Sequence, residues 1–151
     1  MSLWDWAGEA YARPGVEDLC LALQDDHDQC VPFLLWSLWM AAGGRPIDRA
    51  TATACAELAR AWQDAAVAPL RRLRRDLKAK AASQRVQARV REGVKALELE
   101  AERMLLQMLE EASPAPATAP GDRLAALRLA SRVWSGEAPA ALLEALAALA
   151  A

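Results

Sequence analysis

The chain has 151 residues, enough for one domain whose core buries about two-thirds of the unfolded chain's surface. Its 54% hydrophobic and 25% charged content, with only 7 glycines and 8 prolines, excludes a disordered or low-complexity chain. A formal charge of -2 does not mark a nucleic-acid or membrane-surface binder as a whole.

Nearly every segment follows the helical period of about 3.6 residues, and none alternates as a strand would. Ser2 is placed to cap a first helix over Leu3 to Arg13, with Leu3, Trp6, Ala7 and Ala10 inward and Tyr11 at the edge. Pro14-Gly15 breaks it, and a second helix is expected from about Val16 to Asp26, with Val16, Leu19, Cys20 and Leu23 on one side. The turn Asp25-Asp26-His27-Asp28-Gln29 ends that helix. A third, Val31 to Ala42, is apolar almost all round (Phe33, Leu34, Leu35, Trp36, Leu38, Trp39, Met40), the mark of a helix surrounded by others. Pro32 suits its first turn and Gly43-Gly44 its end.

Asp48 is a fitting N-cap for a long fourth helix reaching about Lys80, kinked or broken near Val67 to Pro69 because Pro69 has no amide proton to donate. A fifth helix should cover about Gln84 to Ala112. Its apolar stripe, Val86, Val90, Val94, Leu97, Ala101, Met104 and Met108, has the a/d spacing of a helix packed lengthwise on a partner. Leu58, Trp62, Leu70, Leu73 and Leu77 supply the complement, so these two helices are expected to form an antiparallel hairpin. The proline-spaced stretch Ser113 to Gly121 reads as a linker. Two short helices follow. One is capped by Asp122, carries Leu124, Leu127, Ser131 and Trp134, and ends at Gly136. The other, opened by Pro139, carries Leu142, Leu143, Leu146 and Leu149. The expected architecture is therefore an all-α helical bundle over 1–112, with a long antiparallel helix hairpin, a linker over 113–121, and a two-helix tail over 122–151 docking on the bundle or on a partner.

Met1-Ser2-Leu3-Trp4-Asp5-Trp6 has neither a basic n-region nor an apolar h-region, and the longest apolar stretch, Val31 to Ala42, falls well short of the roughly 20 residues of a membrane span. An odd set of cysteines, Cys20, Cys30 and Cys55, excludes a complete disulfide framework. A cytoplasmic location without membrane contact is the expectation.

The near-neutral total hides a lopsided charge. Residues 1–58 hold nine acids against three bases, whereas residues 59–95 hold eleven bases against three acids, so any anionic partner should meet the second segment. Its densest part is Pro69-Leu70-Arg71-Arg72-Leu73-Arg74-Arg75-Asp76-Leu77-Lys78. With Leu70, Leu73 and Leu77 inward, Arg71, Arg72, Arg74, Arg75 and Lys78 spread over the open surface, with Arg89 beside them; guanidinium forks suit carboxylates and phosphates. Such a run is more often a solvated face neutralised by nearby acids. No aromatic residue interleaves it, which disfavours RNA.

Six tryptophans stand against one tyrosine and one phenylalanine, so the bulky packing units are indoles. Besides a packing role, Trp6, Tyr11, Trp36 and Trp39 are candidates for lining a small-molecule pocket between the first three helices. Cys20, His27 and Cys30 do not have a zinc spacing. The paired aspartates resemble a magnesium-diphosphate motif only superficially, since a second acidic motif is lacking. With a single histidine and no nucleophile constellation, no catalytic residue, metal or cofactor is expected.

Leu3-Trp4-Asp5-Trp6, Tyr11-Ala12-Arg13-Pro14-Gly15-Val16, Cys20-Leu21-Ala22-Leu23-Gln24-Asp25, Leu34-Leu35-Trp36-Ser37-Leu38-Trp39, Trp62, the arginine-rich run and Glu98-Leu99-Glu100-Ala101-Glu102-Arg103 together resemble a small proteobacterial family, domain of unknown function 2390. The resemblance covers roughly residues 3–110 and is most specific in the N-terminal half. It supplies no catalytic residue. It implies a soluble, cytoplasmic bacterial protein in which the tryptophan-rich opening and the arginine run form one functional unit.

Three functions follow as expectations. The leading one is an interaction or adaptor protein that offers Arg71, Arg72, Arg74, Arg75, Lys78 and Arg89 to an acidic or phosphate-bearing partner. The alternative is a helical protein that binds a small molecule, with or without enzymatic activity, in the Trp6, Tyr11, Trp36 and Trp39 pocket. The third is a homo-oligomer joined through the tail or the hairpin.

Overall fold

The computed structural model describes residues 1–80, 85–117 and 119–151, and is all-α among them. Its helices are α1 (Leu3–Tyr11), α2 (Val16–His27), α3 (Val31–Ala42), α4 (Arg49–Trp62), α5 (Ala68–Lys80), α6 (Arg85–Glu111), α7 (Arg123–Trp134) and α8 (Ala140–Leu149). The expected helix start at Gln84, the connection of the hairpin and Thr118 of the linker lie outside the described residues.

Local chemistry explains most boundaries. The side chains of Ser2, Asp48 and Asp122 accept hydrogen bonds from the amides of Asp5, Thr51 and Ala125, satisfying donors that a helix start leaves free. Asp28 closes α2 in the left-handed region, at φ 50°, one of the few places where a short polar side chain tolerates it. Between α4 and α5 the helix does not break. It widens into a π-helical turn, Gln63–Val67, in which the amide of Ala68 donates to the carbonyl of Gln63. Pro69 follows directly. Its ring would press on the carbonyl four residues back, and the wider turn relieves that clash one turn earlier than the kink expected at Val67 to Pro69.

α3 is the hub. Every residue from Pro32 to Ala41 is buried. α7 lies along it, and α1, α2 and α6 cover its other sides. Phe33 stacks on Trp36 at 5.0 Å between centroids and meets Trp134 at 5.6 Å. The buried indoles of Trp36 and Trp39 and the half-buried one of Trp62 find acceptors: Trp36 donates to Ser113 Oγ at 2.8 Å, Trp62 to the carbonyl of Ala101 at 2.8 Å, and Trp39 to that of Met1 at 3.4 Å. α7 also packs on α4, and α8 on α2 and α7. Between α6 and α7 the chain is pinned by the amide of Gly121 on the carbonyl of Ala41 at 2.8 Å and by that of Ala117 on Gly44 at 3.0 Å.

α5 and α6 run antiparallel, since Trp62 reaches Ala101 while Arg74, further along, reaches Glu98. α6 is rotated relative to the stripe its sequence suggests. Val94 and Ala101 of the expected stripe are buried as expected, but Glu98, Leu105, Leu106 and Leu109 join them on the inward face, while Val86, Val90, Leu97 and Met104 are 69%, 53%, 58% and 44% exposed. A 3.5-residue repeat drifts by about 20° per heptad around a straight helix, so it cannot stay buried along 27 residues. The rotation seats Leu105 and Leu109 in the core beneath α3 at the expense of the distal stripe. Leu73, expected inward on α5, is correspondingly exposed.

Candidate functional site

The distal parts of α5 and α6 form a two-helix arm. α5 packs chiefly on α6 and on the π turn, so its other faces are open to solvent. Not all the predicted bases share that surface. Arg71 and Arg74 turn inward, against the expectation of an open flank. Arg71 Nε meets Glu98 Oε1 at 3.2 Å, Arg71 Nη2 meets Glu102 Oε1 at 3.1 Å, and Arg74 Nε contacts Glu98 Oε2. The physical reason is Glu98. The rotation of α6 buries its side chain to 9% exposure, and a buried carboxylate requires ion-pair partners. Its hydrogen bond pushes the Arg74 guanidinium above its ordinary range. Glu102 is raised by burial, with Arg71 opposing.

Arg75 lies outside this cluster and pairs with Asp25 of α2 at 2.9 Å, both side chains being about half exposed. The Asp25 carboxyl is held below its usual value by the Gln24 side chain first and by Arg75 after it. Arg72, Lys78 and Arg89 are exposed and carry no ion pair among the described residues. The same two helices also carry the exposed aliphatic side chains Leu73, Val86, Val90 and Leu97.

The second predicted site is also redistributed. A cavity of about 250 Å³ lies between α1, α2, α3 and α6, lined by Trp4, Tyr11, Cys20, Leu21, Leu35, Leu99 and Glu102 among others. Of the four predicted lining residues, Tyr11 alone takes part. Trp36 is fully buried on Phe33. Trp39 is buried beneath the Arg45 guanidinium, 4.1 Å from the ring centroid. Trp6 packs against the core without reaching the cavity. The cause is the orientation of α1. Leu3, Ala7 and Ala10 point into the core, so Trp4 and Tyr11, two turns apart, flank the cavity and Trp6 lies to the side. The small residues Ala7 and Gly8 between two aromatics at helical spacing are the available signal. Burial pushes the thiol of Cys20 up to about 12, with Glu17 adding to the rise, and so keeps it protonated.

An all-α bundle with a long hairpin and a tryptophan-rich opening is thus the class of protein. The chain belongs to the family described as a protein of unknown function, DUF2390, whose model matches residues 2–109. Those residues take in α1 to α5 and nearly all of α6, hence both the arm and the cavity. Comparison with curated proteins and with solved structures found no match. No helix among the described residues is long and apolar enough to cross a membrane.

Proposed function

We propose that the protein is an interaction module whose α5–α6 arm docks an acidic amphipathic helix of a partner protein. The observation that carries the reading is the coincidence, on one arm, of exposed aliphatic side chains (Leu73, Val86, Val90, Leu97) and bases left unpaired among the described residues (Arg72, Lys78, Arg89). Exposed apolar clusters rimmed by charge are characteristic of protein-binding surfaces. The apolar strip answers a partner's i, i+3, i+4 anchors and the bases answer flanking carboxylates. An acidic helix fits better than a nucleic acid, because the large exposed side chains of the arm are aliphatic and offer no stacking platform. On this reading Arg71 and Arg74 belong to the internal ion cluster, and Arg75 joins the surface only by leaving Asp25. The cytoplasm is the compartment in which this module and its free thiols operate.

A photo-crosslinking residue in place of Leu97 tests the reading in native extract. The expected product joins the arm to an acidic helical segment of another protein, and it disappears when Arg72, Lys78 and Arg89 are all changed to Glu. Crosslinks to RNA, to a phosphorylated non-helical segment or to a second copy of this chain, or a yield indifferent to the charge reversal, would overturn it.

A further inference from the structure

We propose that the cavity between α1, α2, α3 and α6 binds a small organic cation: an ammonium head on a compact apolar body. This site is separate from the docking edge of the arm, and either can stand without the other.

The body of such a ligand is matched by the cavity's walls. They are aliphatic and aromatic over most of the surface and enclose about 250 Å³. Trp4 and Tyr11 stand two turns apart on α1, and Gly8 between them leaves a gap in the wall: a Cβ placed there would meet nothing within 4 Å. The head is matched at one end. There the cavity adjoins a charged recess of about 530 Å³ that shares Tyr11, Leu21, Gln24, Leu99 and Glu102 with it. Four glutamates line that recess against Arg71, Arg74 and Lys95, and Glu92 is turned to Arg91 at 3.6 Å, so Glu102 is the carboxylate that faces both the recess and the cavity. Both arginines are engaged by Glu98, and Arg71 takes only Oε1 of Glu102. The site therefore presents a carboxylate already stripped of much of its water.

Three head groups can be compared. An anion would have to draw guanidiniums away from Glu98, which is buried and needs them. A neutral apolar molecule would desolvate Glu102 further without giving its second oxygen, Oε2, a partner. A cation brings donors and opposite charge to Glu102 and lies beside the Tyr11 ring, which the cavity and the recess share. The Trp4 ring already holds one cation, the Arg103 guanidinium, 5.2 Å from its centroid. Burial, then Cys20, Glu17 and Glu102, push the Tyr11 hydroxyl up to about 12, in keeping with negative potential at the mouth.

Three probes share one body and differ in head: 2-phenylethylammonium, 2-phenylethanol and 3-phenylpropanoate. Each is titrated into the full chain while the Gly8 amide resonance and tryptophan fluorescence are followed. The ammonium should saturate at least tenfold more tightly than the carboxylate, with the alcohol between them. Glu102→Gln should abolish the preference of the ammonium over the alcohol. Gly8→Leu, which has room for its Cβ and improves helix propensity, should remove binding of all three while the far-ultraviolet spectrum is kept. The head-group series on the unaltered chain decides the matter if Glu102→Gln does not fold. Binding of the carboxylate as tightly as the ammonium, absence of any saturable response to the ammonium, or undiminished binding to folded Gly8→Leu would overturn the proposal.

Discussion

Arg71 on α5 and Glu98 on α6, 27 positions apart in sequence, meet at 3.2 Å across the hairpin, with the glutamate 7% exposed. The contact joins the arginine-rich run to the buried face of α6. It divides the run into guanidiniums that hold the fold and cations that face solvent.

Removing Glu98 leaves Arg71 and Arg74 with side chains only 12% and 24% exposed and their main acceptor gone. Glu98→Ala should therefore lower stability by about 3 kcal/mol, and Glu98→Gln by less, since an amide oxygen still accepts. Urea unfolding followed by circular dichroism measures both. A loss below about 1 kcal/mol for Glu98→Ala would place the cluster among exposed pairs that water replaces.

Glu102 sets a pH dependence of definite sign. Its folded carboxyl is raised above the ordinary value of 4.5 by burial, with Arg71 opposing. A raised acid binds its proton more tightly in the folded state, so its stabilising contribution is complete below the unfolded value and is lost as pH rises through the folded one. The Glu102→Gln chain should lack this increment. The difference in stability between the unaltered chain and the variant should favour the unaltered chain more at mildly acidic pH than at neutral pH. Urea midpoints across that range read it out, and a difference that grows toward neutral pH would contradict it. Asp25, held low by Gln24 and Arg75, acts in the opposite sense, losing its contribution on acidification.

The cysteines are all buried, and burial raises each thiol, those of Cys20 and Cys30 to about 12. Since the thiolate is the reactive form, an aromatic disulfide reagent at neutral pH should label the native chain slowly and all three cysteines at once in denaturant. Rapid native labelling of Cys20, the one that lines the cavity, would show that the cavity opens more widely than described.

The helices were legible because each has a local cause: a serine or aspartate cap, a Pro-Gly break, an apolar run. The extent of α3 is plain in the sequence, since an almost unbroken apolar run from Phe33 to Met40 suits only a buried helix. The face of α6 was not. Its Val-Leu-Met spacing resembles a coiled-coil seam, and the competing inward face contains Glu98, which looks like a surface residue until Arg71 and Arg74 arrive from another helix. For the same reason the run of arginines could be located but not divided. Trp36 and Trp39 were legible as large and buried but not as excluded from the cavity, because that follows from which side of α1 meets α3.

The most direct measurement is calorimetric titration of the partner segment captured at Leu97 against two variants, with thermal unfolding recorded on the same samples. With Arg72, Lys78 and Arg89 all changed to Glu, affinity should fall at least about tenfold, or about 1.4 kcal/mol, with the melting temperature unchanged. With Arg71 and Arg74 changed to Gln, the melting temperature should fall while affinity of the folded fraction persists. Full affinity after reversal of the three exposed cations, or affinity lost only with Arg71 and Arg74, would contradict the account.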